Sequence, residues 1–159
     1  MTEHAASLPD FSADELRTLA ALLDEIVPPS ADGRLPGGGT LVGSEHLEAT
    51  LRLLPGLDLG ILQAVKAADE EARKRDAASF AALPHDARLA LLGELGARDP
   101  GFLPSLTFLA YASYYQDARV LGALGFEARP PHPEGFTLDD GDLELLAPVR
   151  RRGKLYRDA

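Results

Sequence analysis

Apolar residues recur three and four positions apart along most of this 159-residue chain, and no run alternates strictly between β-branched and polar residues. Such spacing puts the apolar side chains on one side of a helix, whereas a half-buried strand needs a period of two. The expected fold is therefore all-α, a compact bundle of about five to six helices around a central apolar helix, followed by an irregular proline-rich tail. A chain of this length buries about 68–70% of the surface its unfolded form exposes, so it needs no staples to hold a core.

The helix signals can be read in order. Ser12 followed by Glu15 matches a capping box, and Leu16, Leu19, Ala20, Leu23, Ile26 and Val27 share a face before Pro28 and Pro29. Phe11 is placed to act as the staple. Residues 30–43, SADGRLPGGGTLVG, read as a flexible surface connection, since glycines here would weaken a helix. The three glycines do not make a phosphate loop, because no lysine–serine or lysine–threonine pair follows and no strand leads in. Ser44 caps a short helix to Leu54, with Leu47, Leu51 and Leu54 inward. Asp58 starts a longer one to about Ala82, with Ile61, Leu62, Val65, Ala68, Ala72 and Phe80 inward. Within it Asp69–Arg73, Glu70–Lys74 and Glu71–Arg75 put an acid four residues before a base, the pattern of a solvated face. Pro84 opens a helix that packs Leu91, Leu92 and Leu95 inward before Gly96.

Asp99 and Pro100 start the next helix, whose apolar residues from Phe102 to Ala112 cover nearly its whole circumference before Tyr115. A helix apolar all round is expected at the centre of the bundle. Asp117 caps a short helix that ends at Gly125. Residues 1–126 thus form the helical domain, with 1–10 expected to be disordered. Residues 127–159 form an extended proline-rich and basic segment in which Asp139 to Leu146 can make one or two helical turns.

Charge and composition narrow the function. The chain has 25 acidic and 16 basic residues, for a net charge of −9, which argues against binding a phosphate backbone. No run approaches the roughly 20 apolar residues of a membrane span, so no membrane insertion is expected. The first residues carry no positive cluster ahead of an apolar run and no twin arginine, which reads as cytoplasmic. With no cysteine, thiolate sites and a cysteine nucleophile are excluded. Glu45, His46 and Glu48 form the densest cluster of ligand types. They lack the Glu-x-x-His pairs of a helical di-metal site, and His4, His85 and His132 have no ligand spacing. No serine lies in a nucleophile elbow, and Asp139 and Asp140 are read as solvated acids. The sequence points to no catalytic, cofactor-binding or metal-binding residue in this chain.

The run Tyr111 to Phe126, YASYYQDARVLGALGF, admits two readings. One is the end of a buried helix and a capped turn, with tyrosine hydroxyls reaching water. The other is a docking surface, because interfaces favour buried tyrosine and arginine. At this run the chain resembles the small subunit 3 family of gluconate 2-dehydrogenase. In that family a Tyr-Tyr-x-x-Pro stretch precedes Leu-Gly and an aromatic residue. Tyr114, Tyr115, Leu124, Gly125 and Phe126 follow the pattern, while Ala118 stands where proline is common. Ile26-Val27-Pro28-Pro29, the Pro36-Gly37 loop and the Ser44 helix match as well, so the resemblance covers most of residues 12–126.

The resemblance implies a noncatalytic, chaperone-like accessory subunit of a large flavoprotein dehydrogenase of the glucose–methanol–choline type, acting on sugars, sugar acids or polyols. FAD would sit on that partner and none on this chain. Many relatives carry a twin-arginine export signal that this sequence lacks, so the expected complex is cytoplasmic or is exported by a signal on the partner. The expected docking residues are Tyr111, Tyr114, Tyr115, Arg119 and Phe126, and in the tail Arg150, Arg151, Arg152, Lys154, Tyr156 and Arg157. The alternative is a standalone helical adaptor without a dehydrogenase partner.

Overall fold

Ser12 and Ser44 both act as caps. The Ser12 hydroxyl accepts from the Glu15 backbone N–H while the Glu15 carboxylate accepts from the Ser12 N–H at 2.8 Å, closing the capping box. Ser44 accepts from Leu47 N–H in the same way. These caps open α1 (Ala13–Ile26) and α2 (Glu45–Leu53) in a computed structural model that describes residues 11–129, 135, 141 and 143–152. Then come α3 (Leu57–Arg73), α4 (His85–Arg98), α5 (Phe102–Tyr114) and α6 (Ala118–Ala123). The described residues hold no strand, so the fold is all-α. The chain divides into two units, Met1–Ala128 and Arg129–Ala159. The second contains a 3-10 turn, Leu143–Leu146, and the short helix α7 (Ala147–Arg151). The 3-10 turn lies within the range Asp139 to Leu146 where one or two helical turns are expected, and α7 carries the helix on through Arg150 and Arg151. Residues 139, 140 and 142 lie outside the described residues.

In the first unit, Leu19, Leu22 and Leu23 of α1, Ile61 and Val65 of α3, Leu91 of α4 and Leu106 and Leu109 of α5 are fully or almost fully removed from solvent. Helix α5 touches α1, α2, α3 and α4, which makes it central, although α3 touches as many elements. Phe11 lies partly buried against this core. Leu54, expected inward, is exposed.

The largest departure from the sequence reading is the glycine-rich connection. It forms a 3-10 turn, Gly38–Leu41, pressed against the end of α1, with Gly38 and Leu41 buried. A Cβ on Gly38 would lie 2.5 Å from the Leu23 carbonyl oxygen, and one on Gly39 would lie 2.6 Å from that of Ala20. A Cβ on Gly37 would collide with the Asp24 carboxylate. Glycine is used here because two backbones meet. The bonds confirm the contact: Gly38 N–H donates to Val27 C=O at 2.8 Å and Gly39 N–H to Asp24 Oδ1 at 2.7 Å.

Helix α3 ends at Arg73, short of the expected Ala82. Asp76 takes a left-handed conformation (φ 59°), and Ala77 N–H donates back to Ala72 C=O at 3.1 Å, the closure of a helix-terminating turn. The returning chain buries Phe80 completely and donates its N–H to Asp69 Oδ1 at 2.9 Å. Asp69 also accepts from the Thr18 hydroxyl at 2.7 Å, and both residues are buried. The run DEEARKR is therefore not one solvated face. Asp69 ties α1, α3 and the Phe80 turn together, with Arg73 at 3.9 Å. Of the expected i,i+4 pairs Asp69–Arg73 is therefore kept, while Glu71 meets Lys74 (2.9 Å) and Arg98 of α4 (2.8 Å), and Arg75 meets Glu94 of α4 (2.6 Å), in place of Glu70–Lys74 and Glu71–Arg75. Pro84 serves as N-cap of α4 rather than its first residue. Gly96 lies inside α4, where a Cβ would sit 2.7 Å from Leu103 of α5. The end of α1 meets the start of α4 through Glu25, whose side chain is 4% exposed and which pairs with Arg88 Nε at 2.7 Å and His85 Nδ1 at 3.0 Å.

Candidate partner-docking surface

Helix α5 is two-faced rather than apolar and buried all round. Phe102, Leu106, Leu109, Ala110, Ser113 and Tyr114 are buried. On the opposite side Pro104, Phe108, Tyr111 and Tyr115 follow one another at spacings of four, three and four and are exposed. Phe108 is 37% exposed, Tyr111 48% and Tyr115 55%. Residues three and four apart are neighbours on a helix surface, and the Tyr111 and Tyr115 rings meet edge-on with centroids 6.1 Å apart.

The expected docking residues separate sharply. Tyr114 leaves the list: it is 4% exposed, and its hydroxyl donates to Pro36 C=O at 2.8 Å, so it is a strut between α5 and the glycine-rich connection. Burial pushes its phenol pKa up, with Tyr115 and Asp117 adding to the rise. Tyr115 packs edge-on against Tyr114 at 5.5 Å, so the exposed ring stands on a fixed one. Arg119 has an exposed side chain that grips Asp117 through Nε at 3.0 Å and Nη2 at 2.7 Å. That grip holds the Asp117 carboxyl below its usual range and raises the Arg119 guanidinium. Arg119 is thereby committed to the cap of α6 before any partner arrives. Phe126 is 63% exposed. It follows Gly125 (φ 83°), and its N–H donates to Leu121 C=O at 2.9 Å, a glycine-closed helix end. Arg34 Nη2 donates to Ala123 C=O at 2.9 Å, tying the connection to that same end.

In the second unit Arg150, Arg151 and Arg152 are exposed, as are Leu143, Leu145, Leu146 and Val149. Lys154, Tyr156 and Arg157 lie outside the described residues.

Two open cavities flank the first unit's helices. One, of about 340 Å³, is lined by Gly60, Gln63, Ala64 and Ala67 of α3, by Leu95 and Arg98 of α4, and by Phe102 and Ser105 of α5, with Asp99 and Gly101 between. Its charged groups are engaged: Arg98 with Glu71, and Asp99 with the Gly101 N–H. The other, of about 310 Å³, lies between Ser12, Asp14 and Glu15 and the α3 residues Lys66, Asp69, Glu70 and Arg73. Ser12, Glu15 and Asp69 are all used there in structural bonds. Among the described residues no group of three histidines or carboxylates is placed to hold a metal ion, and no helix is long and apolar enough to cross a membrane.

Sequence reasoning named Tyr111 and Tyr115 but missed Phe108 beside them on the open face of α5, and it missed the buried Asp69. Both signals are present as helical phase: 104, 108, 111 and 115 form one stripe, and 65, 69 and 72 another. No family model, curated protein or solved structure matches the chain.

Proposed function

We propose that this chain is a noncatalytic small subunit that binds and stabilises a flavin-dependent dehydrogenase of sugars, sugar acids or polyols, with FAD carried by the partner. The observation that carries the binding role is the exposed row of Phe108, Tyr111 and Tyr115 on a helix whose other face is core. Isolated exposed apolar residues are ordinary on any surface, but contiguous aromatic ones mark interaction sites. The kind of partner comes from the resemblance, whose two motif segments are in direct contact through the Tyr114–Pro36 hydrogen bond.

In this reading the small subunit has no chemical step of its own. It covers apolar surface on the large subunit and stabilises it by mass action, to an extent set by the complex's affinity. The test is to tag the chain in its native cell, isolate it gently, and assay the eluate for flavin absorbance and dye-linked dehydrogenase activity on sugars and polyols. A co-eluting flavoprotein whose thermal inactivation slows with added small subunit is the expected result. A colourless single chain overturns the reading in favour of a standalone adaptor.

A further inference from the structure

The row of aromatic residues on α5 lies in an unusual electrical setting. A quarter of the chain's residues are charged, yet from Gly101 to Phe126 the only charged side chains are Asp117 and Arg119. Those two are bonded to each other at 2.7 and 3.0 Å, so the whole stretch is neutral and carries no free charge. The rest of the first unit is strongly acidic. Met1–Ala128 holds 19 acidic and 10 basic residues, a net charge of −9. The neutral face is therefore set in a repelling body.

We infer that the outward face of α5, Phe108, Tyr111 and Tyr115, docks on an uncharged apolar surface of a partner protein less acidic than this chain, and not on a second copy. The partner's identity as the flavoprotein rests on the reading above. Three observations carry the chemistry. A face without charge offers nothing for an acidic or basic surface to pair with, and desolvating an unpaired charge on the partner would be costly. Two copies brought face to face would each bring a net charge of −9, which disfavours a homodimer. The anchors are also fixed before binding: Tyr111 rests edge-on against Tyr115, and Tyr115 against Tyr114, which is buried and bonded to Pro36. Pre-fixed rings lose little rotamer freedom on docking.

The consequence is an association that ignores salt. Screening weakens contacts between exposed charges but leaves apolar contacts intact. The experiment measures the dissociation constant of the purified chain for the co-isolated flavoprotein at about 0.05 M and about 0.5 M salt. Wild type is compared with Phe108→Ser/Tyr111→Ser and with Tyr111→Lys, and circular dichroism and melting temperature are followed for each. The expected result is a wild-type constant that moves less than about threefold with salt. The double variant should bind roughly 30-fold or more weakly at both salts with its fold unchanged. Tyr111→Lys, which leaves the core untouched, should weaken binding at least tenfold and keeps the question open to test if the double variant folds poorly.

Equal affinity in folded variants would remove this face from the interface while leaving the accessory role standing. Dissociation of the wild-type complex at the higher salt would overturn the uncharged complement. No flavoprotein with the wild-type chain would overturn the accessory reading and this inference with it. A dimer in sedimentation that Tyr111→Lys abolishes would assign the face to a second copy, against the inference.

Discussion

The two sides of α5 are made of similar residues and serve opposite ends. Inward, Leu106, Leu109, Ala110 and Tyr114 fill the core, and the Tyr114 hydroxyl reaches across to Pro36. Outward, Phe108, Tyr111 and Tyr115 have the same aromatic character but are left to solvent. The inner side is held by fixed backbone partners: the glycine connection meets α1 without room for a Cβ, and Tyr114 and Arg34 fasten it to α5 and α6. The outer side has ring-on-ring contacts and no charge. What separates the two is helical phase alone, so one residue's step from Tyr114 to Tyr115 carries a side chain from strut to surface. A substitution on the inner side should be read in stability, and one on the outer side in binding.

The strongest way to break the inner side is Gly38→Ala. Its Cβ would have to occupy space 2.5 Å from the Leu23 carbonyl oxygen and 3.1 Å from the carbonyl carbon, both backbone atoms that cannot swing aside. The expected loss is about 3 kcal/mol, at the upper end of overpacking costs, measured as a lower urea midpoint with unchanged slope. Gly93→Ala is the matched control, since Gly93 lies within α4 and a Cβ there meets nothing within 4 Å. It should gain about 0.5–1 kcal/mol through backbone entropy alone. If both substitutions behaved alike, the close approach of the glycine connection to α1 would be wrong.

The second prediction concerns the carboxylate buried between helices. Asp69→Ala removes the acceptor shared by the Thr18 hydroxyl and the Phe80 N–H and leaves two buried donors unpaired. A loss of about 2–3 kcal/mol is expected, and Thr18→Val in the same background should recover part of it by removing one orphaned donor. Additive losses from the two substitutions, measured by chemical denaturation, would show that the residues do not share a bond.

Much of this architecture was legible in the sequence, and the failures have physical causes. Caps and stops are local chemistry, so Ser12 with Glu15, Ser44, Asp117 and Gly125 could be read directly and hold in the structure. The end of α3 was not legible, because an aspartate rather than a glycine takes the left-handed turn at residue 76. The glycine connection looked flexible because its partner, the end of α1, is fixed only by the tertiary fold. Asp69 looked solvated because a carboxylate four residues before an arginine usually is, although position 69 lies next to the buried stripe. For the candidate surface, the sequence grouped Tyr114 with Tyr111 and Tyr115, although Tyr114 is buried and the other two are exposed. Composition identifies tyrosines, and only their phase on the helix says which face they take.

Tyr114→Phe sharpens the comparison at a single atom. It deletes the hydroxyl that donates to Pro36 C=O and leaves the buried ring in place. The expected cost is about 1 kcal/mol of stability, the usual worth of one such bond. The outward face keeps its rings, so partner affinity should stay within about twofold, well under the tenfold that 1.4 kcal/mol represents. Tyr111→Ser should show the reverse, with stability nearly unchanged and affinity reduced. A Tyr114→Phe variant that lost binding without losing stability would erase the division between the two sides.

The smallest effect belongs to the surface clasp between α3 and α4, two residues beyond Asp69. Hydrogen bonds from Arg98 and then Lys74 lower the Glu71 carboxyl pKa from 4.5 to about 2. A carboxyl whose folded pKa is depressed adds stability that is fully present above its unfolded value. That stability fades as pH falls from about 4.5 through about 2, when the folded form also takes up its proton. Because the clasp faces water, salt should screen it, and the change in acid midpoint should be smaller than any effect above. Arg98→Ala removes the first cause of the shift and should move the Glu71 titration, followed by carboxyl NMR, back toward 4.5 while leaving Asp69 and its two donors in place. If Glu71 in the wild-type chain titrates at its ordinary value instead, the Glu71–Arg98 bond between α3 and α4 does not persist in solution, and α4 is held by the Arg75–Glu94 and Glu25–Arg88 pairs, by Gly96 against Leu103 and by the leucines beneath it.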